Sequence, residues 1–115
     1  MKVEKFRIIH FVRELIVMID NQMDNFPKKD VELKNRIRSN SFDILELVYE
    51  ANTSSDIVYK KKLLLKALAK VKIVDFLLNL SYDKRIITEK KYYKLGNKMD
   101  DIIKYLNGWI KQITE

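Results

Sequence analysis

Apolar residues recur along this chain at spacings of three and four, and three short breaks divide them into four runs. In the first, over residues 3–25, Ile8, Val12, Leu15, Ile19 and Phe26 follow one another at intervals of four, three, four and seven. That is the stripe of an amphipathic helix. Ile9, Ile16 and Met23 widen it on one side, Phe11 and Met18 on the other. Phe26-Pro27 stops the run, because the residue before a proline is pushed out of the α region. The second run, 30–51, opens with Asp30 as its N-cap. It carries Leu33, Ile37, Asn40, Ile44, Val48 and Ala51 on one face, with Arg38, Phe42, Leu45 and Tyr49 beside them as a mixed stripe. Residues 52–55, Asn-Thr-Ser-Ser, form a loop whose hydroxyls offer caps to the next helix.

The third run, 56–82, is apolar on two faces. At about 100° per residue, Leu63, Leu64, Ala67, Val71, Val74 and Leu78 share one arc, and Leu65, Ala69, Ile73, Phe76 and Leu80 share another. Lys66 and Lys70 separate the arcs on one side, Lys72, Asp75 and Asn79 on the other. One face fills the core of the protomer. The other requires a further partner, most economically a second copy of the chain. The fourth run, 88–114, starts at Thr88 as N-cap with Glu89 in the first turn. Tyr92, Leu95, Met99, Ile102, Leu106, Trp109 and Ile113 then alternate by three and four, a coiled-coil-like seam. Interior glycines weaken a helix by roughly 1 kcal/mol each relative to alanine, so Gly96 and Gly108 predict close backbone approach or a local break. Four helices joined by short loops predict an all-α, antiparallel up-down-up-down four-helix bundle, one domain over residues 1–115, assembling into a ring-like homo-oligomer.

Composition narrows the chemistry. The 115 residues include no Cys, one His (His10), one Pro and two Gly. Disulfides, thiolate metal sites and cysteine nucleophiles are excluded, and a reducing cytoplasm suits the chain. The glycine count leaves no phosphate-cradling loop. Interleaved Lys2, Glu4, Lys5 and Arg7 make the first residues unlike a signal peptide. Five polar residues interrupt the most apolar window, 63–80, so no membrane span is expected.

His10 with Glu14 four residues on reads as a helical ion-pair neighbour rather than a general base. Asp43, Glu46 and Glu50 share helical spacing, but the Glu-x-x-His pattern of di-metal bundles is missing. The pair Asp100-Asp101 reads as a solvated acidic face. No Arg precedes His10 at the spacing of bundle-type ribonucleases. No catalytic residue, metal or cofactor is expected.

The net charge of +7 is clustered. Between residues 59 and 72 lie Lys60, Lys61, Lys62, Lys66, Lys70 and Lys72 with no acid. Lys28, Lys29, Lys34, Arg36 and Arg38 surround the first half of the second helix, and Lys84, Arg85, Lys90, Lys91, Lys94 and Lys98 open the fourth, with Tyr92 and Tyr93 among them. In an antiparallel bundle the starts of helices two and four lie at one end, so their cations join there. The helix-three group extends the charge along the side, which makes either a surface suited to a phosphate backbone or a lysine-rich solubilising surface. Lysine dominance points to backbone attraction rather than base readout. Leu65, Ala69, Ile73, Phe76 and Leu80 form the expected oligomer interface.

The segment Phe26-Pro27, followed by Arg36-Ile37-Arg38-Ser39-Asn40-Ser41-Phe42-Asp43 and on through Tyr49-Glu50-Ala51-Asn52, resembles the second-helix signature of a four-helix-bundle superfamily. That superfamily contains the ribosomal RNA intervening-sequence proteins and Avd, the accessory variability determinant of diversity-generating retroelements. The third helix closes on Leu80-Ser81-Tyr82-Asp83, and Leu106-Asn107-Gly108-Trp109-Ile110-Lys111 resembles the ending of the Avd branch. The resemblance implies a barrel-like homopentamer that binds RNA or DNA through positive charge. It also implies association with a reverse transcriptase making mutagenic cDNA from a template RNA. Arg36, Arg38 and the helix-three lysines would then face RNA or polymerase. A protein-protein interaction or structural module is the alternative that the same bundle serves.

Overall fold

The computed structural model describes the backbone of residues 2–115, with side chains from Arg7 onward. It contains four long helices: α1 (Lys2–Asp20), α2 (Val31–Thr53), α3 (Ile57–Asp83) and α4 (Glu89–Thr114). Helices of this length run roughly 30 to 40 Å at 1.5 Å per residue, which accounts for a molecule 45 Å long and 23 by 18 Å across. Each helix packs on its sequence neighbours, and α1 packs on α4 to complete the bundle, with α2 against α3 the most extensive contact. This is the expected up-down-up-down fold.

The core follows the stripes read from the sequence. Val12 and Leu15 of α1, Ile44 and Val48 of α2, Leu64, Val71 and Leu78 of α3, and Ile102 and Leu106 of α4 are fully buried. Asn40 interrupts the apolar line of α2, yet both ends of its amide are used. Its Nδ2 donates to the Arg36 carbonyl at 2.8 Å, and its Oδ1 accepts from Lys70 Nζ at 3.0 Å. Ser41 and Ser81 are buried too, each hydroxyl donating to a carbonyl one turn back at 2.8 Å. Such satisfied polar groups carry little desolvation penalty.

The helix ends depart from the sequence reading in several places. The first helix stops at Asp20 rather than near residue 25. Past Asn21 the bonds tighten from four residues to three (Gln22 N to Ile19 O, 2.9 Å), and a 3-10 turn, Met23–Asn25, follows. Met23 and Phe26, at the end of the stripe, are both buried through this turn, and Pro27 follows where the helix can no longer continue. Asp30 does not cap α2 with its side chain. A 3-10 turn, Lys28–Asp30, leads into the helix, and the Asp30 carboxylate instead pairs with Lys84 Nζ at 3.1 Å.

Asn52 and Thr53 belong to α2, and Asp56 supplies the cap of α3, accepting from Val58 N and Tyr59 N at 3.0 and 3.2 Å. Thr88 caps α4 as expected, accepting from Lys91 N at 3.2 Å. Gly96 and Gly108 sit in regular helix, and a Cβ on either would meet nothing within 4 Å among the described residues. The close approach expected of them is not present among the described residues.

The end of α3 has a left-handed residue. Arg85 has φ of 62°. Its N–H donates to Tyr82 O, and Ile86 N–H donates to Ser81 O, both at 2.9 Å. These paired bonds form a Schellman motif whose left-handed position usually holds glycine. Arginine there strains the backbone by roughly 1–2 kcal/mol.

Candidate interaction surfaces

The second apolar face of α3 is on the surface. Phe76 is 65% exposed, Leu65 48% and Ile73 45%. Ala69 is exposed as well, while Leu80 is half-buried and so contributes less than its register predicts. Beside this stripe, α2 and α3 bound a groove of about 440 Å³ lined by Asp43, Glu46, Leu47, Lys66, Ala69, Lys70 and Ile73. A larger groove of about 800 Å³ between α1 and α4 is lined by Ile8, Phe11, Tyr105 and Trp109, among others. Arg7 Nη1 donates to the Tyr105 hydroxyl there at 2.9 Å.

The cations fall into two classes. Some are bound to carboxylates of the same chain. Lys70 Nζ lies 3.1 Å from Asp43 Oδ2 and also donates to Asn40, and Lys98 Nζ lies 3.0 Å from Glu14 Oε1 and over the Phe11 ring. Lys84 is held by Asp30, and Arg36 stands 3.9 Å from Glu32. The Arg38 guanidinium lies over the Phe42 ring, 5.9 Å from its centroid, and Lys34 is half-buried. These two and the remaining cations of the predicted groups have no ion pair among the described residues. Lys28, Lys29, Lys62, Lys66, Arg85, Lys90, Lys91 and Lys94 are exposed, and Lys60 and Lys61 half-buried. Side chains of Lys2, Glu4 and Lys5 lie outside the described set.

The structure joins two of the three predicted basic groups. The Asp30–Lys84 ion pair ties the start of α2 to the connection before α4, which brings Lys28 and Lys29 to the same end as Arg85. Lys60, Lys61 and Lys62 sit at the other end of α3, about 35 Å away at 1.5 Å per residue. Lys66 and Lys70, expected to carry the charge between the two, line the groove beside the apolar stripe. A partner covering that stripe therefore competes with a phosphate backbone for these two lysines.

His10, Asp43 and Glu50 are engaged in contacts with side chains of the same chain. His10 Nε2 lies 3.5 Å from Glu14 Oε1, but the same oxygen accepts from Lys98, whose hydrogen bond holds the carboxyl below its ordinary value. Glu50 accepts a short hydrogen bond from the Tyr59 hydroxyl, which raises the phenol's affinity for its proton. Among the described residues no group of three or more His, Cys, Asp or Glu side chains is placed to hold a metal ion. Desolvation raises the Asp75 carboxyl, with nearby Asp100 adding to the effect and a hydrogen bond from Tyr92 opposing it.

An aromatic layer at the basic end adds a feature the spacing of lysines does not convey. The Tyr82 and Tyr92 rings stack 5.3 Å apart, 5° from parallel, and Tyr93 follows at 6.4 Å from Tyr92. The sequence signal was the Tyr92-Tyr93 pair inside a lysine cluster; Tyr82, ten residues earlier, joins it only because α3 and α4 pack antiparallel.

The bAvd-like family matches residues 3–113, nearly the whole chain. This protein belongs to the bAvd-like family. Membership gives it a non-catalytic accessory role rather than an enzymatic one. Among solved structures it is similar to a protein of unknown function from the S23 ribosomal protein family of Bacteroides thetaiotaomicron. The match has a TM-score of 0.86 at 20% identity and covers 94% of this chain and 98% of that one. At that identity the likeness shows the shared four-helix fold. No curated protein matches the chain. Among the described residues no helix is long and apolar enough to cross a membrane.

Proposed function

We propose that this protein is a helical accessory module that works through two surfaces. The exposed stripe of Leu65, Ala69, Ile73 and Phe76, with Leu80 at its edge, meets another copy of the chain and builds a ring-like homo-oligomer, a pentamer. The basic end holds RNA or DNA beside the reverse transcriptase of a diversity-generating retroelement in the cytoplasm. The accessory character rests on family membership. The observation that carries the nucleic-acid reading is the group of exposed cations free of ion pairs, among the described residues, on and beside the end where Asp30 meets Lys84.

The test is RNA binding across a salt series. Affinity for a labelled RNA falls steeply with salt, since released counterions drive the association. Joint replacement of Lys28, Lys29, Lys90 and Lys94 by Glu weakens binding at least tenfold at low salt and flattens the slope, with helicity unchanged. RNA binding that is absent at low salt, or insensitive to it, refutes the reading.

A second reading has its own support. Lys70, Lys84 and Lys98 are bound to carboxylates, and the α2–α3 groove mixes both signs of charge with apolar walls, as a protein-protein surface does. Under that reading the chain is a structural or protein-binding module, and capture of its partner resists both nuclease and salt.

A further inference from the structure

Tyr93 is the outermost ring of the layer at the basic end, and 62% of it is exposed. The rings beneath it are fixed. Asn79 Nδ2 donates to the Tyr92 hydroxyl at 2.9 Å, and the Tyr82 hydroxyl donates to Glu89 Oε2 at 3.4 Å. Tyr93 therefore stands beside a braced aromatic pair, its ring tilted 35° from that of Tyr92 and mostly open to solvent. Lys90 and Asn97 lie one turn before and after it on the same helix face. Arg85 follows Tyr82 in the Schellman turn, its backbone set by the bond to the Tyr82 carbonyl. Residues 83–98 carry six cations, of which Lys84 and Lys98 are held by Asp30 and Glu14, against two carboxylates, Asp83 and Glu89, and the second of these is turned toward Tyr82.

An exposed ring among cations attracts a ligand that is anionic and has flat π-faces. Nucleic acid has both, and strand number decides whether the ring can be used. In a duplex the base faces are occupied by their neighbours in the stack, so only the cations gain. In a single strand the bases are free to stack on an aromatic side chain, worth about 1–3 kcal/mol per base.

We propose that Tyr93, with Lys90 one turn before it on α4 and Arg85 in the turn that leads into that helix, is a stacking platform for single-stranded nucleic acid. The proposal rests on the nucleic-acid reading above and specifies its ligand class. The cations hold the phosphates and set the salt dependence. The ring adds a salt-independent preference for unpaired strands.

The experiment compares binding of a labelled oligouridine and of an RNA duplex of equal length by fluorescence anisotropy, over a salt series, using the full chain. The expected results are tighter binding of the single strand and a loss of about fivefold or more for Tyr93→Ala on that strand. The salt slope stays the same and duplex affinity changes little. Tyr93→Phe keeps the affinity, while Tyr93→Leu loses it. Arg85→Gly, which relieves backbone strain, weakens both ligands and lowers the slope. Because Tyr93 is mostly exposed, Tyr93→Ala retains the wild-type melting temperature. Oligouridine affinity unchanged in Tyr93→Ala, or equal binding of duplex and single strand by the wild type, overturns the platform but leaves the nucleic-acid reading standing. Absence of binding to either ligand by the wild type overturns both.

Discussion

Replacing Phe76 by Glu tests the apolar stripe of α3. The side chain is 65% exposed in the protomer, so of roughly 200 Å² for a phenyl residue about 130 Å² remains to be covered. At ~25 cal/mol per Å² that area is worth about 3 kcal/mol when another copy covers it. Leu65 and Ile73, each just under half exposed, add about 2 kcal/mol apiece by the same measure. The stripe then supplies about 7 kcal/mol, against an association cost of ~4–15 kcal/mol. Assembly through this face is therefore sensitive to a single residue. Losing the 3 kcal/mol of Phe76 lowers each interface constant by about 150-fold, and a carboxylate facing apolar surface lowers it further.

Sedimentation velocity or light scattering over a micromolar concentration series reads the effect. The wild type should show a multiple of 13.8 kDa, and the variant 13.8 kDa itself. Circular dichroism should be unchanged, because Phe76 contributes little to the core. Val17→Glu, at a residue 59% exposed on α1 and outside the stripe, is the control and should assemble as the wild type does. A wild type that is monomeric throughout, or a Phe76 variant with undiminished mass, would refute the assignment of this face.

Three further outcomes follow from the geometry. Gly96→Ala and Gly108→Ala should each raise protomer stability by up to about 1 kcal/mol in chemical denaturation, since a Cβ at either position meets none of the described residues within 4 Å. A destabilised monomer would show that the helix is strained there. Arg85→Gly should raise stability by about 1 kcal/mol by removing a side chain from a left-handed position, and an unchanged or lower denaturation midpoint contradicts it. The pH dependence has two opposed contributions. Glu14, held low by Lys98, stabilises the fold above its unfolded value, and that gain is lost as pH falls through the depressed folded value. Asp75 is raised by burial and Asp100, so its ionisation opposes folding and the penalty grows as pH rises through the carboxylate range. Asp75→Asn should raise the neutral-pH melting temperature and Glu14→Gln should lower it, with the two variants converging on the wild type in strong acid.

Much of the fold could be read from spacing alone. Intervals of three and four mark which face of each helix is buried, and Ile44, Val48, Val71, Ile102 and Leu106 lie where those intervals place them. The surplus face of α3 was visible in the same way, because a second apolar arc exceeds what one core can cover. Capping at Thr88 was legible, since the cap acts within one turn. The caps expected of Asp30 and of the hydroxyls in the loop 52–55 failed for a different cause. Asp30 found a more distant partner in Lys84, and Asp56 lay better placed than the hydroxyls before it.

Sequence by itself determined the helices, their buried faces and the excess of positive charge, because these depend on residue type and a local period of 3.6 residues. Tertiary structure decided which charges remain available. Lys98 meets Glu14 across 84 residues and Lys70 meets Asn40 across 30, so those cations are bound to their own chain, whereas Lys90 and Lys94 are not. It also placed Lys66 and Lys70 beside the apolar stripe and stacked Tyr82 on Tyr92. No periodicity along one helix encodes such contacts, because they are fixed by how far one helix is rotated and shifted against the next.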